Sequence, residues 1–337
     1  MPITTDGSLS FNGSGETQAS GSVFLARDGG DSLVPKLMTD PLAPFGQELA
    51  LAYRVQSGGQ TWDIPLGRYR IKEIPRAQEY FRRFPALGET GSPVQVGWAA
   101  ELSITDRFDA FDDALDDPNP RSGNTTWQEI QRLSPIPIVQ SVPDQRVPGG
   151  LSYDGRLNAI TQLASNLGGV PHLTRAGALS VRPKDVWLTA TDPVLVIDGV
   201  IDLADGMSNA LYNRVKVTNG NDASILRVAQ IDDDANPLAV TRPIGMRTYS
   251  YSSPLMDTNA KAAEAARTIL ARVSTQQSRT AKVTALPHPE IELGDFIEIR
   301  DPVSGRSLRG EVSSMSFSMD ATASMSIDLI VAGGGTS

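Results

Sequence analysis

The chain has 337 residues, with 39 acidic and 30 basic side chains, a formal charge of −9, two histidines and no cysteine. Disulfides, thiolate metal sites and cysteine nucleophiles are thereby excluded, His172 and His288 are too few for a histidine-rich metal site, and phosphate neutralisation along nucleic acid is disfavoured. Thirty glycines and 23 prolines with only 6% aromatic residues predict a turn-rich, mainly β chain with room for two or three domains.

Residues 1–20 are rich in Ser, Thr and Gly and read as a flexible N-terminal segment. The first firm strand is Glu48 to Val55, with Leu49, Leu51, Tyr53 and Val55 in one phase, and Gln56 to Gln60 turns it back onto Trp62, Ile64 and Leu66. Past Gly67 the apolar phase shifts to Tyr69 and Ile71, which predicts a bulge. Val94, Val96, Trp98, Ala100, Leu102 and Ile104 then hold one phase without a break. Residues 21–118 are therefore expected to form a first antiparallel β-barrel, with 185–202 available to complete it.

An acidic run closes that stretch, with Asp109, Asp112, Asp113, Asp116 and Asp117 before Pro118. It lacks the central glycine and terminal glutamate of a calcium loop and reads as a solvated edge. Residues 119–184 are expected to be a small α+β insertion. Thr126 to Glu129 reads as a capping box, and a second helix, capped by Asp154 and buried along Leu157, Ile160, Leu163 and Leu167, stops at Gly168-Gly169. A hairpin turns at Arg175-Ala176-Gly177.

From Pro193 the β pattern resumes through Val194 to Ile197, Asn213 to Val217 and Ile225 to Ile231, and the acidic turn at Asp232, Asp233 and Asp234 reads as an exposed loop. Residues 203–337 are expected to form a second β-barrel carrying a helix over 257–274. That helix buries Ala262, Ala266, Ile269, Leu270 and Val273, and the alternating strand after it, with Ala281, Val283 and Ala285, is its expected seat. A two-proline turn, a strand at Phe296 to Arg300, a hairpin at Asp301 to Gly305 and a phase change near Ser313 lead to a last strand through Met325 and Val331.

No nucleophile elbow, phosphate loop or paired-histidine zinc motif is present in the sequence, so the expectation is no enzyme, no catalytic or metal residues and no cofactor. His172 and His288 read as packing or surface residues, and Trp62 and Trp98 as core. A glycan-cleaving protein would instead need facing carboxylates in a deep cleft, and a glycan-binding one would expose Trp62, Trp98, Trp127 or Trp187 on a concave face. No apolar run approaches the ~18 residues of a membrane span and no basic-then-apolar leader opens the chain, which predicts a soluble protein without a membrane-spanning segment.

Several stretches in order along the chain resemble one family. Pro65 to Ile71, Ile104 to Phe108, the helix and hairpin from Leu157 to Pro183, Tyr251 to Leu255, the helix with Ala266 to Arg272, and Leu286-Pro287-His288-Pro289 leading to Leu293-Gly294-Asp295 look like tail-hub or minor tail proteins, the baseplate hub family of long-tailed bacteriophages. The resemblance implies a virion protein of the tail tip, assembled in the host cytoplasm as a homotrimer whose paired tube-type barrels make a pseudo-sixfold ring. It implies as neighbours a distal tail protein or tail tube ring, a tip or fibre protein and the tape-measure C-terminus, with DNA passing only in transit. An acidic lumen would let DNA pass where a basic one would hold phosphates, so the runs Asp109 to Asp117 and Asp232 to Asp234 are the candidates to line such a channel.

Overall fold

The structure is a computed structural model that describes residues 6–83, 93–111, 114–147, 149–184, 190–207, 211–220, 222, 224–275, 279–320 and 322–331. The chain opens with β1 (Gly7–Asn12), β2 (Ala19–Asp28), β3 (Glu48–Ser57), β4 (Gln60–Arg82) and β5 (Val94–Asp106). It then leaves the sheet through a 3-10 turn (Arg107–Phe111) into a first excursion: β6 (Ala114–Pro120), α1 (Thr126–Leu133), β7 (Ser152–Gly155), α2 (Arg156–Asn166), β8 (Gly169–Leu173) and β9 (Leu179–Pro183). After β10 (Leu195–Ile197) and β11 (Val200–Met207) comes a second excursion of β12 (Arg214–Thr218), β13 (Leu226–Gln230), β14 (Thr248–Ser252) and α3 (Asn259–Thr275). The chain returns through β15 (Arg279–Ala285), β16 (Phe296–Asp301), β17 (Arg306–Ser318) and β18 (Met325–Val331).

The fold is mainly β, and a curled antiparallel sheet carries it. The sheet runs β11-β15-β18-β17-β1-β2-β5-β4-β3, with β16 on β17 and β10 parallel to β16. A single apolar core spans it, from Leu9, Val23 and Leu102 to Ile297, Ile327 and Leu329. Strands from both stretches expected to form tube-type β-barrels, 21–118 and 203–337, share this one sheet and core. The join is β1, which lies in the segment expected to be flexible: Leu9 and Phe11 alternate with serines, Leu9 is fully buried, and Phe11 stacks on Phe317 with ring centroids 5.9 Å apart. Two apolar residues in a polar stretch are enough because β1 pairs on both sides, with β2 and with β17.

Both expected bulges are present. Leu51 pairs with Gly67 and Ala52 with Pro65, so Leu66 is the extra residue, and Gly67 takes φ +135° there. The other register shift falls between Val312 and Ser314. The caps move by one residue: Thr125 precedes α1 with Gln128 closing the box, while Glu129 turns inward and is fully buried. The residue before α2 is Gly155, with no side-chain cap, where Asp154 was expected.

α3 does not lie on β15. Its buried Ala262, Ala266 and Val273 pack with Val215, Val217 and Ile225 from β12 and the approach to β13, forming a core of their own. The inward side of β15 is taken by the main core, where Ala281, Val283 and Ala285 are buried. Among the described residues no helix is long and apolar enough to cross a membrane.

The β1–β2 pairing leaves no space above Gly21, whose added Cβ would run into the backbone carbonyl of Ser8. Gly21→Ala is therefore expected to destabilise the protein by about 2–4 kcal/mol, read as a lower denaturant midpoint. An unchanged midpoint would show that β1 does not join the two halves of the sheet.

Candidate functional site

A densely bonded polar region is the joint where the β8–β9 hairpin meets the main sheet. Gly177 supplies φ +81° at the hairpin turn, and a Cβ there would come within 2.9 Å of Arg68. The turn delivers Arg175, whose Nη1 donates to the carbonyls of Pro65 at 2.8 Å and Pro289 at 3.0 Å, and whose Nη2 donates to that of Glu290 at 2.6 Å. Its Nε bonds the Glu292 carboxylate. One planar guanidinium thus ties the hairpin, the bulge in β4 and the two-proline turn together, a task its fork of donors fits.

Asp106 holds the other side of the joint. It ends β5 at 3% exposure; its Oδ2 accepts the backbone N–H of Gln18 at 2.6 Å and of Ala19 at 2.7 Å, and its Oδ1 accepts that of Phe108 at 2.9 Å. Burial pushes its pKa up to about 6, against three N–H donors that favour the charged form. The Gln18 side chain continues the link by donating to the carbonyl of Pro171 in β8 at 2.9 Å.

Between these clamps lies a cavity of about 90 Å³ lined by Phe11, Tyr69, Asp106, His172 and Arg182 among others. Burial, then the charge of Arg182, holds the His172 pKa below its ordinary value, so its imidazole is neutral. Burial also lowers the pKa of Arg182, whose guanidinium lies against Gly294 amid the charges of Glu311, Asp295 and Glu292. A space of this size takes a few waters, not a sugar or nucleotide. What the arrangement does is lock two parts of the chain together.

The acidic runs are placed differently from one another. Asp109 sits in the 3-10 turn and is ion-paired to Arg70 at 3.1 Å and Lys72 at 2.5 Å on β4. Asp116 and Asp117 lie in β6, and Asp112 and Asp113 lie outside the described residues. Asp232 accepts from the Gln230 amide at 2.7 Å, Asp233 accepts the Ala235 N–H at 2.9 Å, and Asp234 accepts from the Thr241 hydroxyl. Asp232 to Asp234 thus form one self-bonded turn in the second excursion. Among the described residues no group of three or more acidic or histidine side chains could hold a metal ion.

Two of the tryptophans lie in the apolar cores. Trp98 and Trp127 are each 1% exposed. Trp62, expected in the core, is 47% exposed because it lies near the tip of the β3–β4 hairpin, beyond the part of β4 that β5 covers. Trp187 lies outside the described residues. Sequence reading gave Arg175 and Asp106 no role of their own: apart from the Phe108 N–H two residues on from Asp106, the backbone groups they bond are distant in sequence and leave no local pattern.

Comparison of the whole structure with solved ones places the fold. It is similar to a tail protein from Neisseria meningitidis MC58 (TM-score 0.63, 12% identity, covering 99% of this chain and 93% of that one). It is also similar to the 43 kDa tail protein of prophage MuSo2 from Shewanella oneidensis (TM-score 0.60, 14% identity, 97% and 93% covered). Prophage tail protein gp18 from Listeria monocytogenes EGD-e shares the fold less closely (TM-score 0.53, 12% identity, 99% and 89% covered). The chain therefore has the fold of phage tail proteins. No protein-family model matches it, and no curated protein sequence does.

Two outcomes check the joint. Arg175→Ala is expected to cost about 2–4 kcal/mol and to open the β8–β9 hairpin to proteolysis before the sheet unfolds. For Asp106, a folded pKa of about 6 against 3.8 means that its stabilising contribution is present below pH 3.8 and is lost as pH rises through 6. Relative to Asp106→Asn, the wild type should lose about 2 kcal/mol between pH 4 and 7, measured by denaturant unfolding. A pH-independent difference would place the titration elsewhere.

Proposed function

We propose that this chain is a structural subunit of a phage-type tail, a hub of which three copies form a ring at the tail tip. The ring joins the tail tube or distal tail ring to tip or fibre proteins, meets the tape-measure C-terminus and surrounds the path of DNA. The observation that carries this reading is the fold likeness over nearly the whole length of both this chain and the Neisseria and Shewanella tail proteins. It extends to the framework itself, both excursions included, and not to one widespread module. The number three comes from the resemblance seen in the sequence.

A non-enzymatic role is supported by how the strongest polar groups are used. Arg175 and Asp106 are committed to backbone partners, and the cavity between them is too small for a polymer substrate. Within this reading the Asp232 to Asp234 turn and the run ending at Asp117 supply negative charge to the conduit, Asp109 least of all because Arg70 and Lys72 offset it.

Mass measurement and imaging of intact tails test the assignment: three copies at the tip are expected, and a location elsewhere in the particle or another copy number overturns it. Lysines at Asp232, Asp233 and Asp234 in particles that still assemble should slow DNA ejection, more so at low salt where screening is weak. Unchanged kinetics would remove that turn from the channel.

A further inference from the structure

We infer that the Asn12-Gly13 pair at the end of β1 is a site of self-modification, at which Asn12 loses its side-chain amide through a succinimide whenever β1 is unpaired, and that pairing with β17 holds the reaction in check. This is chemistry of the chain itself and does not depend on a place in the tail.

An asparagine followed by glycine is open to this reaction because glycine has no side chain to crowd the ring that forms. The backbone nitrogen of Gly13 loses its proton to water and attacks Cγ of Asn12; a C–N bond forms there, the bond from Cγ to Nδ2 breaks, and ammonia leaves. Water then opens the five-membered ring at either carbonyl, which gives aspartate or isoaspartate. No oxidant or other reactant is needed, and Asn12 and Ser14 are both exposed to the water that is.

What the fold controls is the nucleophile. The Gly13 N–H donates to the Ser313 carbonyl at 3.0 Å, and Ser313 is the extra residue of β17, left between Val312 and Ser314 where the ladder to β18 shifts. The side-chain oxygen of Asn12 accepts the Ser14 N–H at 3.0 Å and the Ser14 hydroxyl at 2.7 Å. Both reacting groups are thus tied to other partners. The tie to Ser313 lies just past the last β1–β17 pair, Asn12 with Ser314, while on the other side the β1–β2 register stops at Phe11 with Ala19 and only the Asn12 N–H reaches further, to the Gln18 carbonyl at 2.8 Å. Strand ends open more readily than strand centres, and opening here releases the Gly13 nitrogen.

A second Asn-Gly pair gives a comparison within the same chain. At Asn219-Gly220 in the second excursion it is the leaving amide that is held, with Nδ2 donating to the Met256 carbonyl at 3.1 Å, while Oδ1 accepts the Asp222 N–H at 3.1 Å. Neither bond involves β1. Loosening β1 should therefore act on Asn12 and leave Asn219 as it was.

The product is not neutral for the fold. Isoaspartate routes the backbone through the side chain and adds one carbon between Asn12 and Gly13, so the Gly13 N–H no longer falls opposite Ser313 when Asn12 lies opposite Ser314. A chain that waits too long with β1 unpaired is altered at the end of its joining strand, and the change is one-way.

Peptide mapping by mass spectrometry, with isoaspartate read by enzymatic methylation, follows both sites in the full-length chain at mildly alkaline pH. Through a series of denaturant concentrations below the unfolding midpoint, conversion at Asn12 should rise by about tenfold or more before Asn219 changes, because the rate follows the fraction of chains open at that site. Gly21→Ala, whose added Cβ strains the β1–β2 pairing, should do the same without denaturant. Separated by ion exchange, the isoaspartate form should unfold at a lower denaturant midpoint than the wild type, whereas Asn12→Asp, with the same added charge on an ordinary backbone, should keep the wild-type midpoint. The inference is overturned if native wild type converts at Asn12 as fast as the fully denatured chain, if Asn12 and Asn219 rise together through the series, or if the isoaspartate form and Asn12→Asp unfold alike.

Discussion

The structure depends on six residues near its start. β1 hydrogen-bonds on both edges, Gly7 to Phe11 with β2 and Ser8 to Asn12 with β17, and without it the main sheet would be two sheets with two cores. Ser8 pairs with Ser318, so the contact that unifies the molecule spans almost the whole chain. Contacts of such sequence separation carry a larger loop-closure cost than local ones, and β1 can pair on both sides only when the C-terminal β17 is in place. Packing then reinforces pairing, through the burial of Leu9 and the stack of Phe11 on Phe317.

Around that sheet the chain leaves and returns twice, and each excursion needs its own reason to stay in place. The first has an apolar core built on Trp127, Ile130, Ile160 and Leu163 and is fixed to the sheet mainly by polar groups. Arg107 adds to Arg175 and Asp106 there, donating to the Gly177 carbonyl at 2.7 Å and to Glu48 at 2.8 Å. The second is spliced between β11 and β15, which pair as neighbours, and it touches the first through Leu255, which is buried in the first excursion's core. Polar fixing at the first joint is directional: a guanidinium that satisfies three carbonyls fixes orientation in a way that apolar contact alone does not.

Much of this was legible where the signal is local. Period-two alternation located β3, β5, β15 and β18, and the phase changes after Gly67 and near Ser313 marked real bulges, because a shift of one residue exchanges the two faces of a strand. The helices were legible for the same reason, since the apolar stripe of α3 repeats at 3.6 residues. What each element packs against was not. The stripe shows that α3 has a seat, yet β12 and β15 offer equally apolar alternation, and the choice is made by the main core already occupying β15. Trp62 misled because alternation reports the face of a strand and says nothing of how far the neighbouring strand extends. Asp106 and Arg175 bond to backbone atoms, which every residue possesses, so no residue pattern announces them.

The same point governs how the surplus of acid should be understood. A net charge of −9 suggests a diffuse anionic surface, but many of its carboxylates are local acceptors. Asp40 takes the N–H groups of Lys36 and Leu37, Asp301 that of Val303, Asp320 that of Thr322, and the buried Glu298 is held by Arg300 and Arg309. In a chain with this many turns, aspartate closes turns by accepting N–H groups that no ladder reaches, and negative charge comes with the geometry. Asp233 in the candidate channel turn follows that rule and Asp234 accepts the Thr241 hydroxyl instead, so in both the charge and the folding role share the same atoms. Asparagine keeps the acceptor and removes the charge, whereas lysine removes both. The two replacements therefore separate what the turn does for the fold from what its field does to a passing polyanion.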